Sequence, residues 1–576
     1  MRDLTLTEVE KKADAQAASA SLFRSSRIVS ALTLLSRLLG LARDWAMIAV
    51  FSGALWITDA FLFAFTIPNL FRRLFGEGAL AAAFIPGFLS AREKGGDERA
   101  ASLGGKILAL LLLVTGALAG FGILGCTLAN LLLGPSASGD RAGQQVRLTL
   151  ELIATMLPFL CLICCSALLS AALQALRSFA LPAAMSCILN LCFLAAFAYI
   201  AWAEPAGGDT RTIFYAALAV VGAGVLQVAL QWPALVWRGF RFPLRLRWAD
   251  EDVQMVIKAM SSTVLGLGVV QINVLVDGLI AYALSLRGEG GDNTYLYLGN
   301  RLMQLPLGIL GVAVATTAFP YLAEHAIKTE YRRFMQILRD ALRLTVFTVL
   351  PAGVGLAAVA DPLVRLLFQK PDLVFSDAAV YQTAAVLACY ASGLVFFAVQ
   401  HLLTRAFYAL QNFSTPVRVA GWMVVVNLAL NLLLIHAPDP YRYLWEIEVI
   451  GLPDQRLGVV GLALSTTLTA LLNVTILWLL LRRRLRPLAG VSWWDENAGD
   501  YLWSLTRMAL ASGLMGVFVY WVINSIPYEP ETLYRAERCL VAIALGVIGY
   551  YGLCVVIPVP ELNEILGRRS RSGDSD

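Results

Sequence analysis

The chain has 576 residues, 58% of them hydrophobic and only 15% charged, with a mean hydropathy of +0.70. This composition excludes an ordinary soluble domain and leaves no segment for a sizeable one. The net charge of +5 comes from basic residues gathered in alternate loops, so it reports membrane orientation and not nucleic-acid binding.

A helix crosses the hydrocarbon with about 20 apolar residues, and about fourteen stretches qualify. In chain order they are 28–51, 57–91 (long and proline-broken), 106–134, 149–174, 181–202, 212–237, 256–286, 294–323, 338–360, 378–409, 416–436, 457–481, 503–524 and 538–558. The expected fold is an all-α polytopic membrane protein. The segment from Met1 to Ser25 lacks the compact apolar core of a cleavable signal, so the first span is expected to direct insertion. Basic loops at Arg92 to Arg99, Arg241 to Arg247, Lys328 to Arg333, Arg482 to Arg486 and Arg568 to Arg571 fall on one side, which predicts cytoplasmic termini.

The two halves of the chain repeat each other. Pro86 in AAAFIPGFL matches Pro320 in TTAFPYLAE, and Pro182 in LQALRSFALPAA matches Pro416 in YALQNFSTPVRV, both at one and the same offset along the chain. Asp44 and Asp277 fall one residue off that offset. A six-helix repeat accounts for the spacing and gives both copies the same orientation, with a substrate path between them. The expected organisation is a tail at 1–26, an N-lobe at 27–247, a C-lobe at 248–486, an appended helix pair at 487–560 and a tail at 561–576. Prolines 68, 86, 306 and 320 mark candidate kinks in the second helix of each lobe.

Several charges lie inside these apolar spans: Arg37 and Arg43 in SRLLGLARD, Arg72 and Arg73 in NLFRRLFGEG, and Arg301 in GNRLMQLPLG. An arginine at mid-membrane costs about 2.5–3.5 kcal/mol on insertion scales, so it faces a water-filled cavity or an anionic partner. Two readings stand. In one, Arg37 shares a helix face with Asp44 seven residues on, Arg73 meets Glu77 at i,i+4, and Asp59 neutralises another arginine. In the other, guanidiniums stay available for a bidentate grip on phosphate. Asp277, isolated in QINVLVDGLIAY, is a candidate for ion pairing, protonation or cation coupling with an oxygen-bearing neighbour such as Asn412.

Enzyme chemistry finds little support. Cys161, Cys164 and Cys165 lie in an apolar helix and read as packing residues. The histidines at 325, 401 and 436 have no metal-ligand spacing, and neither a nucleophile elbow nor a phosphate-binding glycine loop occurs. No metal or cofactor is expected.

The blocks SRLLGLARD (Ser36 to Asp44), TDAFLFAFTIPNLFRRLFGEGAL (Thr58 to Leu80), AFIP (Ala83 to Pro86), NRLMQLPLGILGVAVAT (Asn300 to Thr316) and FYALQNFSTPVRVA (Phe407 to Ala420) resemble the MurJ/MviN lipid II flippase family of the MOP exporter superfamily. The resemblance implies fourteen helices and alternating access. It also implies carriage of the undecaprenyl-diphosphate-linked peptidoglycan precursor from the cytoplasmic to the periplasmic leaflet of the bacterial inner membrane. It assigns substrate binding to Arg37, Arg43, Arg72 and Arg301, and gating to Asp59 and Glu77 with Ser36 beside them. The helices at 487–560 become a lipid-tail groove. Lipid II, membrane lipids and cell-wall synthesis proteins are the implied partners. Gln304 departs from the glutamate of many relatives, which puts a local acid partner for Arg301 in doubt. The alternatives are an exporter of another lipid-linked oligosaccharide or, in a different class, a membrane-embedded glycan polymerase. The latter needs a catalytic acid in a large polar loop, and none stands out.

Overall fold

The computed structural model describes residues 2–134, 139–204, 207–369, 375–438, 456–489, 498–526 and 532–565; side chains are excepted at 2–26, 76–79, 262–263, 265–267, 270 and a few helix-end positions. Among these residues the fold is helical, and the one β-bridge is an isolated pair, Pro438 with Arg456. Helices satisfy every backbone polar group within the segment, which a hydrocarbon environment demands.

Two compact units divide the chain, Met1–Gly268 and Val269–Asp576. The first contains α1 (Arg2–Phe51), α2 (Leu55–Phe71), a π-helical turn (Arg72–Ala79), α3 (Leu80–Leu133), α4 (Arg141–Met156), α5 (Pro158–Ala175), α6 (Ala180–Ala203) and α7 (Ile213–Val236). α8 (Glu251–Arg287) begins in the first unit and ends in the second. The second unit continues with α9 (Asp292–Pro306), a π-helical turn (Leu307–Gly311), α10 (Val312–Ile327), α11 (Tyr331–Ala358), α12 (Ala360–Phe368), α13 (Asp377–Ser392), α14 (Leu394–Ala409), α15 (Ser414–Leu434), α16 (Val459–Ala489), α17 (Ala498–Ser525), α18 (Thr532–Val556) and α19 (Pro560–Ile565).

Ten described stretches are long and apolar enough to cross a membrane, or eleven if α13 and α14, bent by 43°, form one span. One of the ten, Leu55–Leu133, holds two of the expected spans. Its chain turns at Gly95 and Gly96, where Gly96 adopts φ +70°, a backbone that favours glycine.

The repeat has a structural counterpart at the helix ends. In the first unit α5 closes with Ser178 N donating to Leu173 O at 2.8 Å and Arg177 N to Gln174 O at 2.9 Å; Arg177 has φ +58°. In the second, α14 closes with Asn412 N donating to Phe407 O and Gln411 N to Tyr408 O, both at 2.9 Å, and Gln411 has φ +55°. Every group is displaced from its counterpart by the same offset as the matched prolines, and both ends form the same left-handed cap with a 6→1 bond. Each unit also carries a π-helical turn shortly after a proline, at Pro68 and at Pro306. Such wide turns accommodate the missing N–H and often accompany functional sites.

In the first unit α1 lies along α6 and α3 along α5, around a core that includes Phe84, Phe88, Phe240 and Phe242. The segment after α7 is drawn into that core: Phe242 lies over Gly104, and Pro243 O lies where a Cβ on Gly105 would be 2.0 Å away. Lys106 Nζ meets Asp250 Oδ2 at 2.5 Å, and Arg99 Nη2 meets Asp252 Oδ2 at 2.8 Å. In the second unit α17 and α18 pack together, with α17 on α11, and the Tyr550 hydroxyl donates to Phe347 O at 3.0 Å. Residue 561, expected to begin a tail, is instead docked in the protein: Glu561 Oε1 accepts from Arg343 Nε at 2.5 Å and from Ser504 Oγ at 2.7 Å.

Candidate functional site

The arginines of α1 have different fates. Arg43 pairs with the adjacent Asp44, Nη2 to Oδ1 at 2.6 Å and Nε to Oδ1 at 2.9 Å, and Asp44 is 1% exposed. Its Nη1 donates to Asn190 Oδ1 on α6 at 3.3 Å, and its guanidinium lies 5.2 Å from the Phe193 ring centroid. Asn190 Nδ2 then donates back to Ser36 O at 2.9 Å. Packing of α6 on α1 therefore closes a polar circuit of Ser36, Arg43, Asp44 and Asn190, so Asp44 is neutralised by its neighbour and not by Arg37. Arg37 is exposed, and among the described residues it makes no hydrogen bond or ion pair.

Arg72 opens the first π-helical turn and donates from Nε to Asn69 Oδ1 at 2.9 Å. Asp59 is fully buried on α2. The side chain of Glu77 lies outside the described residues, so its expected pairing with Arg73 does too. Arg301 is half-buried on α9, and its neighbour Asn300 accepts from Gln304 Nε2.

Asp277 sits in the second unit among neutral oxygen-bearing groups. Asn431 Nδ2 donates to its Oδ1 at 2.7 Å, while Asn273 Nδ2 and Thr466 Oγ1 reach Oδ2 at 3.3 Å each. Asn427 Oδ1 accepts from Asn431 Nδ2 at 3.0 Å, and Ser465 Oγ donates to Asn431 Oδ1. Among the described residues Asp277 has no ion-pair partner. The groups around the carboxylate are amides and hydroxyls that meet it through N–H and O–H donors.

Asn412 does not join this cluster. Its Oδ1 accepts from Thr415 N at 3.2 Å and its Nδ2 donates to Thr415 Oγ1 at 2.8 Å, in the turn that starts α15. Asparagine in this position folds back on its own backbone. The residue of α15 that reaches Asp277 is Asn431, near the far end of the helix from Ser414 and about 26 Å away from it at helical rise. Asn190, Asn427, Asn431, Ser465 and Thr466 escaped the sequence reading. The available signal was the pair of asparagines at i,i+4 in NLALN, a polar stripe inside an otherwise apolar helix.

Two helical units, with ten or eleven described stretches long and apolar enough to cross a membrane, define a polytopic membrane protein. The fold is that of a solved lipid II flippase MurJ in an inward closed conformation, with a TM-score of 0.70 at 20% identity, covering 93% of this chain and 99% of that one. An inward-facing multidrug resistance MATE family transporter of the MOP superfamily shares it more distantly, with a TM-score of 0.59 at 11% identity over 81% of this chain and 99% of that one. The family model described as "Lipid II flippase MurJ" matches residues 48–534, and the chain belongs to that family. The chain is 31% identical to the "Probable lipid II flippase MurJ" of Bdellovibrio bacteriovorus over 95% of its length and 96% of the relative's. It is also 31% identical to the "Lipid II flippase MurJ" of Burkholderia cenocepacia over 81% and 84%.

Proposed function

We propose that this multi-pass membrane protein is a lipid II flippase, a transporter and not an enzyme. It carries the polyprenyl-diphosphate-linked peptidoglycan precursor from the cytoplasmic to the periplasmic leaflet of the bacterial inner membrane, with both its termini cytoplasmic. Family membership supports the substrate. The observation that carries the mechanism is the exposed and uncommitted guanidinium of Arg37 in an apolar helix, beside an Arg43 already committed to Asp44.

In this reading the diphosphate is gripped by Arg37, with Arg301 on the C-lobe side and Arg72 toward the cytoplasmic gate. Arg43 reaches the substrate only by exchanging Asp44 or Asn190 for phosphate. Asp59 and Glu77 adjust gate pairing, Ser36 helps to hold α1, and the 487–560 helices hold the lipid tail. A membrane potential, negative inside, favours outward movement of an anion by about 2.3 kcal/mol per charge per 100 mV. Proteins of cell-wall synthesis are the expected neighbours.

The Asp277 cluster is the candidate cation-coupling site. Asp44 and Asp277 are near-equivalent in the repeat, yet among the described residues only Asp44 of the two has a built-in counter-ion. A monovalent cation at Asp277, held with Asn427, Asn431 and Thr466, supplies in the second unit the charge that Arg43 supplies in the first.

The test is depletion of the protein in its source cell while lipid II in the outer leaflet is followed with an outside-only probe. Exposure is expected to fall and to be restored by the wild type but not by Arg37→Ala expressed at the same level. Full rescue by Arg37→Ala removes the binding role. Unchanged exposure on depletion, in a cell without a second flippase, transfers the protein to another lipid-linked oligosaccharide.

A further inference from the structure

We propose that Arg405, on the unpacked side of α14, is a further cargo-binding residue that takes a carboxylate of the peptide part of the head group. The assignment rests on the lipid II reading above and extends it to a residue outside the arginine-bearing blocks of the sequence.

The residues of α14, LVFFAVQHLLTRAFYA, divide around the helix. Ala398, Leu402, Leu403, Ala406 and Phe407 are at most 1% exposed, on the side where α14 packs against α10, α11 and α16. His401, Arg405 and Tyr408 follow one another at i, i+4 and i+7 on the other side, where His401 is exposed and Arg405 and Tyr408 are half-buried. A membrane helix that turned this side to lipid would be apolar all round. An ionisable stripe inside a span instead faces water or a polar ligand.

Arg405 makes no hydrogen bond or ion pair among the described residues, and neither does His401 one turn before it. α14 contains no Asp or Glu, so no acid of its own helix balances the guanidinium. The repeat shows that packing does not require a cation here. At the offset of the matched prolines, positions 401 and 405 correspond to Ala167 and Ala171 of α5, which are 8% and 0% exposed. The first unit fills with buried methyl groups the positions at which the second presents a histidine and an uncommitted arginine.

Position along the helix selects the anion. A Cβ added to Gly311 would lie 2.7 Å from Ala398 Cβ, which puts these two residues at one level. The stretches Asp292–Ile327 and Asp377–Ala409 are separated by the single span Tyr331–Ala358, so they run in the same direction. Arg301 precedes Gly311 by ten residues and Arg405 follows Ala398 by seven, which separates the two arginines by about 25 Å along the helix axes at 1.5 Å per residue. One diphosphate does not bridge that distance. An extended peptide covers about 3.3–3.6 Å per residue, so a peptide of several residues joined through a sugar does. With the diphosphate at Arg301, a peptide carboxylate is the anion that reaches Arg405, in the bidentate geometry that guanidinium and carboxylate share.

The experiment measures binding of three probes to the purified full-length protein: lipid II, lipid II with its peptide carboxylates amidated, and undecaprenyl diphosphate, which has no head group. Arg405→Gln is expected to weaken lipid II by at least about tenfold, the effect of losing one hydrogen bond to a charged group, and to leave the other two probes unchanged. His401→Glu keeps Arg405 but sets a carboxylate one turn before it, in the favourable i,i+4 order, and is expected to give the same selective loss without removing the guanidinium. Unchanged lipid II affinity in both variants overturns the role of Arg405 and leaves its guanidinium to the surrounding lipid headgroups. Equal loss for all three probes overturns the carboxylate assignment in favour of phosphate. A wild type that binds neither lipid II nor undecaprenyl diphosphate overturns the lipid II reading itself.

Discussion

Arg43 is paired with the residue next to it in the chain, its Nη2 2.6 Å from Asp44 Oδ1, while Asp277, one residue off the corresponding position in the second unit, takes its hydrogen bonds from Asn431, Asn273 and Thr466. The two units thus treat acids at neighbouring positions of the repeat in opposite ways. In the first the counter-charge is covalently part of the protein. In the second the carboxylate meets neutral amide and hydroxyl donors, with no ion-pair partner among the described residues.

That contrast predicts the behaviour of the first pair. Arg43→Met strands the Asp44 carboxylate at 1% exposure, and breaking a buried pair from one side costs about 3–5 kcal/mol. A lower melting temperature is expected, largely restored by Asp44→Asn in the same protein. Arg37→Ala, which removes an exposed side chain, is expected to melt within a degree or two of the wild type, since surface changes are worth about 0.5 kcal/mol or less. Equal melting of Arg43→Met and the wild type would show that the pair has no structural role.

The segment that leads into α8 supplies a second test. Gly105→Ala sets a Cβ against Pro243 O, a backbone atom, and overpacking of this kind costs about 1–3 kcal/mol. The linker should loosen, which is measurable as earlier proteolysis between residues 238 and 250; unchanged cleavage would mean that the contact gives way freely.

The same linker predicts an acid response. The hydrogen bond from Lys106 holds the Asp250 carboxyl below its ordinary range. A lowered folded value means that the stabilisation is complete above the unfolded carboxylate pKa, about 3.9, and is lost as pH falls through the lowered value. The stability difference between wild type and Asp250→Asn is therefore expected to be constant near neutrality and to shrink below about pH 4. A difference that grows on acidification would reverse the assignment.

Arg343 and Glu561 are unequal partners. The Glu561 side chain is 3% exposed and Arg343 is 25% exposed, so an orphaned Arg343 can reach water where an orphaned Glu561 cannot. Arg343→Met is expected to destabilise the docking of α19 by several-fold more than Glu561→Gln, which keeps the acceptor for Ser504. Thermal unfolding of the two variants, side by side, gives the ranking; Glu561→Gln as the worse variant would contradict it.

Much of this could be read along the chain. Apolar runs identify membrane helices, and matched prolines at a constant offset indicate a duplicated unit. The arginine-bearing blocks pointed to α1, α2 with its π-helical turn, and α9, because a charge inside an apolar run is conspicuous at any register. Partner choice was less legible. The seven-residue spacing of Arg37 and Asp44 favoured a shared face, but a long arginine side chain can curl onto an adjacent carboxylate, and Asn190 of α6 determines that it does. Asn412 looked like a neighbour for Asp277 because both lie in conspicuous motifs, whereas the partner is the inconspicuous Asn431.

The sequence by itself determined the membrane class, the duplication and the residues whose charge demands an explanation, since hydropathy and spacing are properties of one strand of text. Tertiary structure alone decided which of those charges are spent within the protein and which remain exposed. The reason is physical: helical periodicity sets the face on which a side chain lies, but the rotation and depth at which another helix packs decide what that face meets.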